Sequence, residues 1–195
     1  MKKFKVLPVA LLLSACQTGT MEGNASESAL EETQSLVKVC KDHPCRRNIH
    51  VTFRTDGEPV DQMIPLYWPR VFNEMISVLP GESFYVEAEL EGGKLVNMKE
   101  VSENSNPDKT IIIKFNQVEN ETAMMLSIYN PFETVVLKFN MDMVDFFGTP
   151  HKTSSCPIMP QAYIFESWPH PIPELIIKNP VAVPVHKMEA VECIY

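Results

Sequence analysis

The stretch Phe84-Tyr85-Val86-Glu87-Ala88-Glu89-Leu90-Glu91-Gly92-Gly93-Lys94-Leu95 decides the fold. Phe84, Val86, Ala88 and Leu90 alternate with Tyr85, Glu87, Glu89 and Glu91, a period of two that gives a strand one apolar and one wet face. Gly92-Gly93 follows, and the strand pattern resumes from Leu95 to Val101. Two glycines between two such runs predict a tight hairpin, because its two central residues need positive φ.

The same period extends in both directions. Ile49, Val51 and Phe53 alternate with His50, Thr52 and Arg54 upstream. Downstream, Ile111, Ile113 and Phe115 form one run, and Met124, Leu126 and Ile128 resume after Glu119-Asn120-Glu121. Asn130-Pro131 breaks the chain before Val135, Leu137, Phe139, Met141 and Met143, the clearest strand of all. Short strands with turn signals at this spacing predict an all-β fold, an antiparallel β-sandwich or barrel-like meander. One short helix is expected at about 69–79, where Pro69 suits a first helical position and Val71, Phe72, Met75, Ile76 and Leu79 recur at helical spacing before Pro80-Gly81. Seven of the 16 prolines fall between Pro157 and Pro184. They predict a Pro-rich C-terminal coil over 149–175, with edge strands at most at Ile176-Ile177 and Val181–Val191, because proline removes a ladder donor.

The first sixteen residues are of a different kind. Lys2, Lys3 and Lys5 precede the apolar run Val6–Leu13, which is far short of a membrane span and ends in Leu13-Ser14-Ala15-Cys16. That ending resembles the bacterial lipobox: an aliphatic residue, two small residues, then cysteine. The resemblance covers the leader only. It implies cleavage before Cys16, a diacylglycerol thioether on its sulfur, and an acyl chain such as palmitate on the new amino terminus. More than one chain makes such an anchor stable. Gln17, where aspartate marks inner-membrane retention in lipoproteins of this kind, implies the outer membrane, on its periplasmic face or its surface. The domain plan is therefore a signal peptide over 1–15, a flexible acidic tether over 16–35 and one domain over 36–195. Ser28 and Glu31 form a capping-box pair for a short helix ending near Leu36.

Charge narrows the function classes. The chain carries 17 basic and 25 acidic residues; without the three leader lysines the balance is 14 − 25 = −11. No basic run is present, and a nucleic-acid binder needs clustered Lys and Arg to neutralise phosphates. The expected contact with a membrane is the lipid on Cys16 rather than surface charge. Asn24-Ala25-Ser26 and Asn120-Glu121-Thr122 match the glycosylation sequon, which a bacterial leader argues against.

Four cysteines remain beyond Cys16. In an exported protein Cys40, Cys45, Cys156 and Cys193 favour two disulfides, with three possible connectivities. Local closure favours Cys40 with Cys45 around Pro44, and Cys156 with Cys193 as the staple of the C-terminal segment, roughly 3 to 4 kcal/mol in the chain-entropy model. A zinc site on Cys40, Cys45 and His43 or His50 competes, although it lacks the second half of a ligand pattern.

No G-x-S-x-G elbow, H-E-x-x-H or phosphate-cradling loop occurs. No catalytic residue, cofactor or metal site is assigned. The most site-like stretch is Glu166-Ser167-Trp168-Pro169-His170-Pro171, where Glu166, Trp168 and His170 sit among prolines as a candidate binding loop for an envelope protein or a glycan, against the plainer expectation that Trp168 caps the sandwich. Tyr67-Trp68 is expected to pack as core. Met141, Met143, Met124, Met125, His186 and Met188 would suit soft Cu(I), but the first two also lie on the apolar face of a strand, where methionine commonly fills gaps. The leading expectation is a non-enzymatic, membrane-anchored envelope lipoprotein. A periplasmic enzyme or enzyme accessory using the Glu166–His170 loop comes second, and a Met/His copper-binding module third.

Overall fold

The computed structural model describes residues 34–194; the leader, Cys16 and the Ser28/Glu31 pair lie outside the described residues. The described chain is mainly β and antiparallel, and its sheet does not close into a barrel. A short helix over residues 34–39 precedes the ring closed by Cys40–Cys45.

Strands β1 (Arg46–Phe53) and β2 (Val60–Tyr67) form a separate two-stranded ribbon. The remaining ten belong to one sheet: β3 (Val71–Phe72), β4 (Met75–Val78), β5 (Glu82–Glu91), β6 (Lys94–Val101), β7 (Thr110–Gln117), β8 (Met124–Tyr129), β9 (Val135–Val144), β10 (Pro150–Thr153), β11 (Tyr163–Trp168) and β12 (Glu174–Pro184). The order along its main path is β10-β9-β12-β6-β5-β7-β8-β11, with β4 against β12 and β3 against β4. The two halves meet at one bridge, Val181 to Lys94, where the Ala182 amide donates to the Gly93 carbonyl at 2.9 Å. A Cβ on Gly93 would sit 3.4 Å from the Ala182 carbonyl oxygen. Gly92 and Gly93 have φ of 59° and 78°, as the β5–β6 hairpin turn requires.

The two halves form a sandwich-like fold around a single large core. Phe84, Val86 and Ala88 of β5, Ile111, Ile113 and Phe115 of β7, Met124, Leu126 and Ile128 of β8, and Leu137, Phe139 and Met141 of β9 all belong to it. These are the alternate positions read from the sequence. A smaller cluster of Val51, Phe53 and Leu79 seats the ribbon.

The helix expected at 69–79 is a β-hairpin instead. Asn73 and Glu74 take φ of 50° and 59° and make a two-residue turn between β3 and β4. Ile76 and Val78 point into the core while Met75 and Ser77 point away from it. The helical spacing of Val71, Phe72, Met75, Ile76 and Leu79 is an accident of a two-residue turn between two short strands. A helix of that length is marginal by itself, and pairing of Ile76–Val78 with Leu175–Ile177 of β12 decides the outcome.

The Pro-rich coil is also corrected. Strands β10, β11 and β12 fill much of the segment, and β12 lies inside the sheet rather than at its edge, paired to β9 along its length. The prolines sit where no ladder donor is needed. Pro150 opens β10, Pro160 and Pro169 flank β11, and Pro180 falls where the β12–β9 register shifts between Lys178 and Val181. Beyond Pro184 the chain turns into a 3₁₀ segment, Val185–Ala190, in place of the expected edge strand.

The disulfides are Cys40–Cys45 and Cys156–Cys193. The second ties the segment after β10 to the chain end, where Ser155 and Ile194 also exchange backbone hydrogen bonds at 3.0 and 2.9 Å. Peptide mapping without reduction is expected to recover these two pairs. A peptide joining Cys45 to Cys156 or Cys193 would refute the arrangement.

Candidate functional site

Strand β11 places the residues singled out in the sequence, and its alternation separates them. Ile164, Glu166 and Trp168 point inward, whereas Tyr163, Phe165 and Ser167 point out. Trp168 therefore belongs to a strand and to the core, not to an exposed loop. Trp168 is 5 % exposed, and its ring meets Phe115 edge-on with centroids 6.3 Å apart. Its indole N–H donates to Thr153 Oγ1 at 2.6 Å. His170 lies beyond the strand end, exposed, its Nδ1 3.3 Å from the Pro171 carbonyl oxygen.

Glu166 works as a clasp. Its carboxylate accepts from the Cys156 backbone N–H at 2.9 Å and from Ser154 Oγ at 3.3 Å. With the Trp168–Thr153 bond, these contacts join β11 to the chain leaving β10, so side chains bridge the opening that backbone pairing leaves. Beneath them Lys138 donates to the Ser155 carbonyl, and burial pulls its ammonium below the usual lysine range while the Glu166 carboxylate opposes the shift. Ser155 is 1 % exposed and its hydroxyl donates to the Phe139 carbonyl. A serine in that state has no path to a substrate, so Lys138 and Ser155 do not form a nucleophile and its base.

The outer face of the same half carries an apolar row that the sequence reading did not isolate. Val101, Tyr85, Ile112, Tyr129 and Tyr163 occupy one register line across β6, β5, β7, β8 and β11. Phe165 stands on the next line at the β11 edge. Tyr163 is 47 % exposed and Phe165 66 %. Tyr129 and Tyr163 have centroids 4.9 Å apart, and Tyr163 and Phe165 6.1 Å with planes within 23°. The signal was present in Tyr163-Ile164-Phe165-Glu166-Ser167-Trp168, but both parities of that run are largely apolar, so alternation alone names no outer face.

A third feature is a buried ionic network between the ribbon and the sandwich. Arg46, 3 % exposed at its side chain, donates to Glu82 at 2.7 Å, to the Trp68 carbonyl at 2.9 Å and to Ser77 Oγ. Ser77 in turn donates to Glu174, which also accepts from Tyr67 OH at 2.7 Å. Glu82 accepts further bonds from Arg70 Nε at 3.0 Å and from the Leu79 amide at 2.8 Å, and Arg70 reaches Glu100. Arg46 also lies over the Tyr67 ring, 4.9 Å from its centroid, so Tyr67 takes part in the polar network besides packing in the smaller cluster. Burial lowers the Arg46 guanidinium from its ordinary value, with Glu82 and Glu174 opposing. Two arginines face three carboxylates here, and each named group has a partner. Such saturation describes a brace between elements rather than a reactive centre.

The remaining candidates do not converge. Met124, Met141 and Met143 pack in or against the core, Met125 points out from β8, and His186 and Met188 lie in the C-terminal 3₁₀ segment. Among the described residues no group of three or more His, Cys, Asp or Glu is placed to hold a metal ion. Cys40 and Cys45 are consumed by their disulfide, which removes the zinc ligands considered from the sequence. An open cleft beside β9, β10 and β12 is lined by Asn140, Asp142, Lys152, Lys178 and Ile194, but Lys178 is spent on Asp142.

No protein-family model matches the chain, and no curated protein and no solved structure matches it.

Proposed function

We propose that the chain is a lipid-anchored protein of the bacterial cell envelope that acts by binding, through the outer face of the β6-β5-β7-β8-β11 half. The observation that carries this reading is the exposed ring pair Tyr163 and Phe165 at the end of an apolar row on a face that an antiparallel sheet ordinarily leaves polar. Leu13-Ser14-Ala15-Cys16 supplies the anchor and Gln17 the outer-membrane preference. Two disulfides fit an oxidising compartment, where a domain of this size benefits from staples. Glu166 and Trp168 serve this reading from behind, by holding β11 in place.

Replacing Cys16 with Ser tests the anchor. The wild type is expected to incorporate labelled palmitate and to sediment with membranes, and the variant to accumulate as unlabelled precursor or soluble protein. A variant processed like the wild type and still found in membranes would place the anchor elsewhere.

A further inference from the structure

We infer that the aromatic row is a platform for a linear glycan whose pyranose units carry carboxylates, an inference that rests on the binding reading above and names its ligand class. The row's strands already send Phe84, Val86, Ile113 and Ile128 to the core through the opposite parity, so Tyr85, Ile112, Tyr129 and Tyr163 are spare apolar surface on the wet side.

Shape selects the ligand. One side chain per strand on five neighbouring strands gives a straight line at right angles to the strands, stepping about 4.8 Å each time and about 19 Å long. That step is close to the length of one sugar ring. The line is one side chain wide until β11, where Phe165 stands beside Tyr163. Ser83, Lys114 and Ser127 form the register line on one side, which ends in Phe165 on β11, and Lys99, Glu87 and Thr110 form the line on the other, where Glu87 and Thr110 are buried and Lys99 is exposed. A stable protein interface wants an apolar centre ringed by further contacts, about 800 Å² on each partner. A strip bordered closely by polar groups suits a narrow chain instead. The C–H faces of a pyranose lie on aromatic rings, whose faces carry the negative side of the quadrupole. Equatorial hydroxyls then point sideways, towards Ser83, Lys114 and Ser127 on one side and Lys99 on the other.

Charge selects carboxylates. Lys99, Lys109 and Lys114 border the row, against Glu87, which lies 3.2 Å from Lys99 and 4.0 Å from Lys109, and Asp108 of the neighbouring turn. The local balance is 3 − 2 = +1 on a chain whose formal charge is −8. Lys114 sits beside the middle of the row, exposed, where it can meet a carboxylate on a bound chain.

The test uses the full lipidated protein in detergent micelles with two probes. One is peptide-free peptidoglycan glycan strands, in which every second sugar carries a lactyl carboxylate; the other is neutral chitin oligomers. The wild type is expected to bind the acidic strands more tightly than chitin. Tyr163→Ala and Phe165→Ala should each weaken binding about tenfold, as loss of an exposed aromatic anchor does, with unchanged thermal melting. Lys114→Glu should weaken the acidic strands and leave chitin unaffected, and Met63→Ala, on the ribbon, should change neither. Absence of glycan binding, or binding indifferent to Tyr163 and Phe165, overturns the inference. Equal binding of both probes with no effect at Lys114 overturns its carboxylate part. Capture of a protein through Tyr163 and Phe165 without glycan binding would overturn the ligand class while leaving the binding reading intact. The Cys16 experiment reads the anchor separately.

Discussion

Arg46→Met is expected to destabilise the protein by about 3–5 kcal/mol, the cost of removing one partner from a buried charge network. The magnitude follows from what remains. Glu82, Glu174 and Glu100 would face Arg70 alone, three carboxylates against one cation, and Glu82 and Glu174 are 7 % and 8 % exposed. Glu82 would keep Arg70 and the Leu79 amide, and Glu174 would keep Ser77 and Tyr67, so the backbone donors and hydroxyls limit the loss without cancelling it. The same substitution at Arg70 has a weaker basis, because its side chain is 27 % exposed and solvent screens its pair with Glu100. Urea denaturation of Arg46→Met, Glu82→Gln and the double variant measures the coupling. The double variant should lose clearly less than the sum of the singles, since neutralising Glu82 removes much of the stranded charge. Strict additivity, or a loss under about 1 kcal/mol for Arg46→Met, would mean that the ribbon is held by Val51, Phe53 and Leu79 instead.

The strands of the sandwich were legible because one physical fact, the alternation of side chains across a strand, is written directly into residues such as Val135 to Met143. Where the local pattern fits two structures it misleads, as at Val71 to Leu79, where only the distant partner Leu175–Ile177 distinguishes hairpin from helix. Prolines were legible as breaks but not as boundaries: Pro160, Pro169 and Pro180 mark ends and a register shift within strands that still form. The disulfide pairs followed from loop closure. Arg46 was not legible, since Arg46-Arg47 reads as ordinary surface and its partners Ser77 and Glu82 lie 31 and 36 residues away. The stretch around Glu166 read as a loop within a coil, whereas Tyr163–Trp168 is a strand whose alternation buries Trp168 and turns Tyr163 and Phe165 outward. Trp168 drew attention by size, while Tyr163 and Phe165 gain meaning only from their register with Tyr129 and Ser127.

That reversal of faces makes Trp168→Ala the sharpest check on the fold. As core, the ring fills space against Phe115, and its removal should cost about 3–5 kcal/mol, the range for large aromatic truncations. Trp168→Phe separates packing from hydrogen bonding. It retains a ring and loses the indole donor to Thr153, so it should cost about 1 kcal/mol, the net worth of one such bond, together with any void left by the smaller ring. Chemical denaturation of the two variants reads both values. The protein that remains folded should still bind as the wild type does, because Trp168 and the Tyr163–Phe165 pair point to opposite sides of β11. A Trp168→Ala variant of near-native stability with impaired binding would put the indole on the surface and return the recognition role to the Glu166–His170 segment.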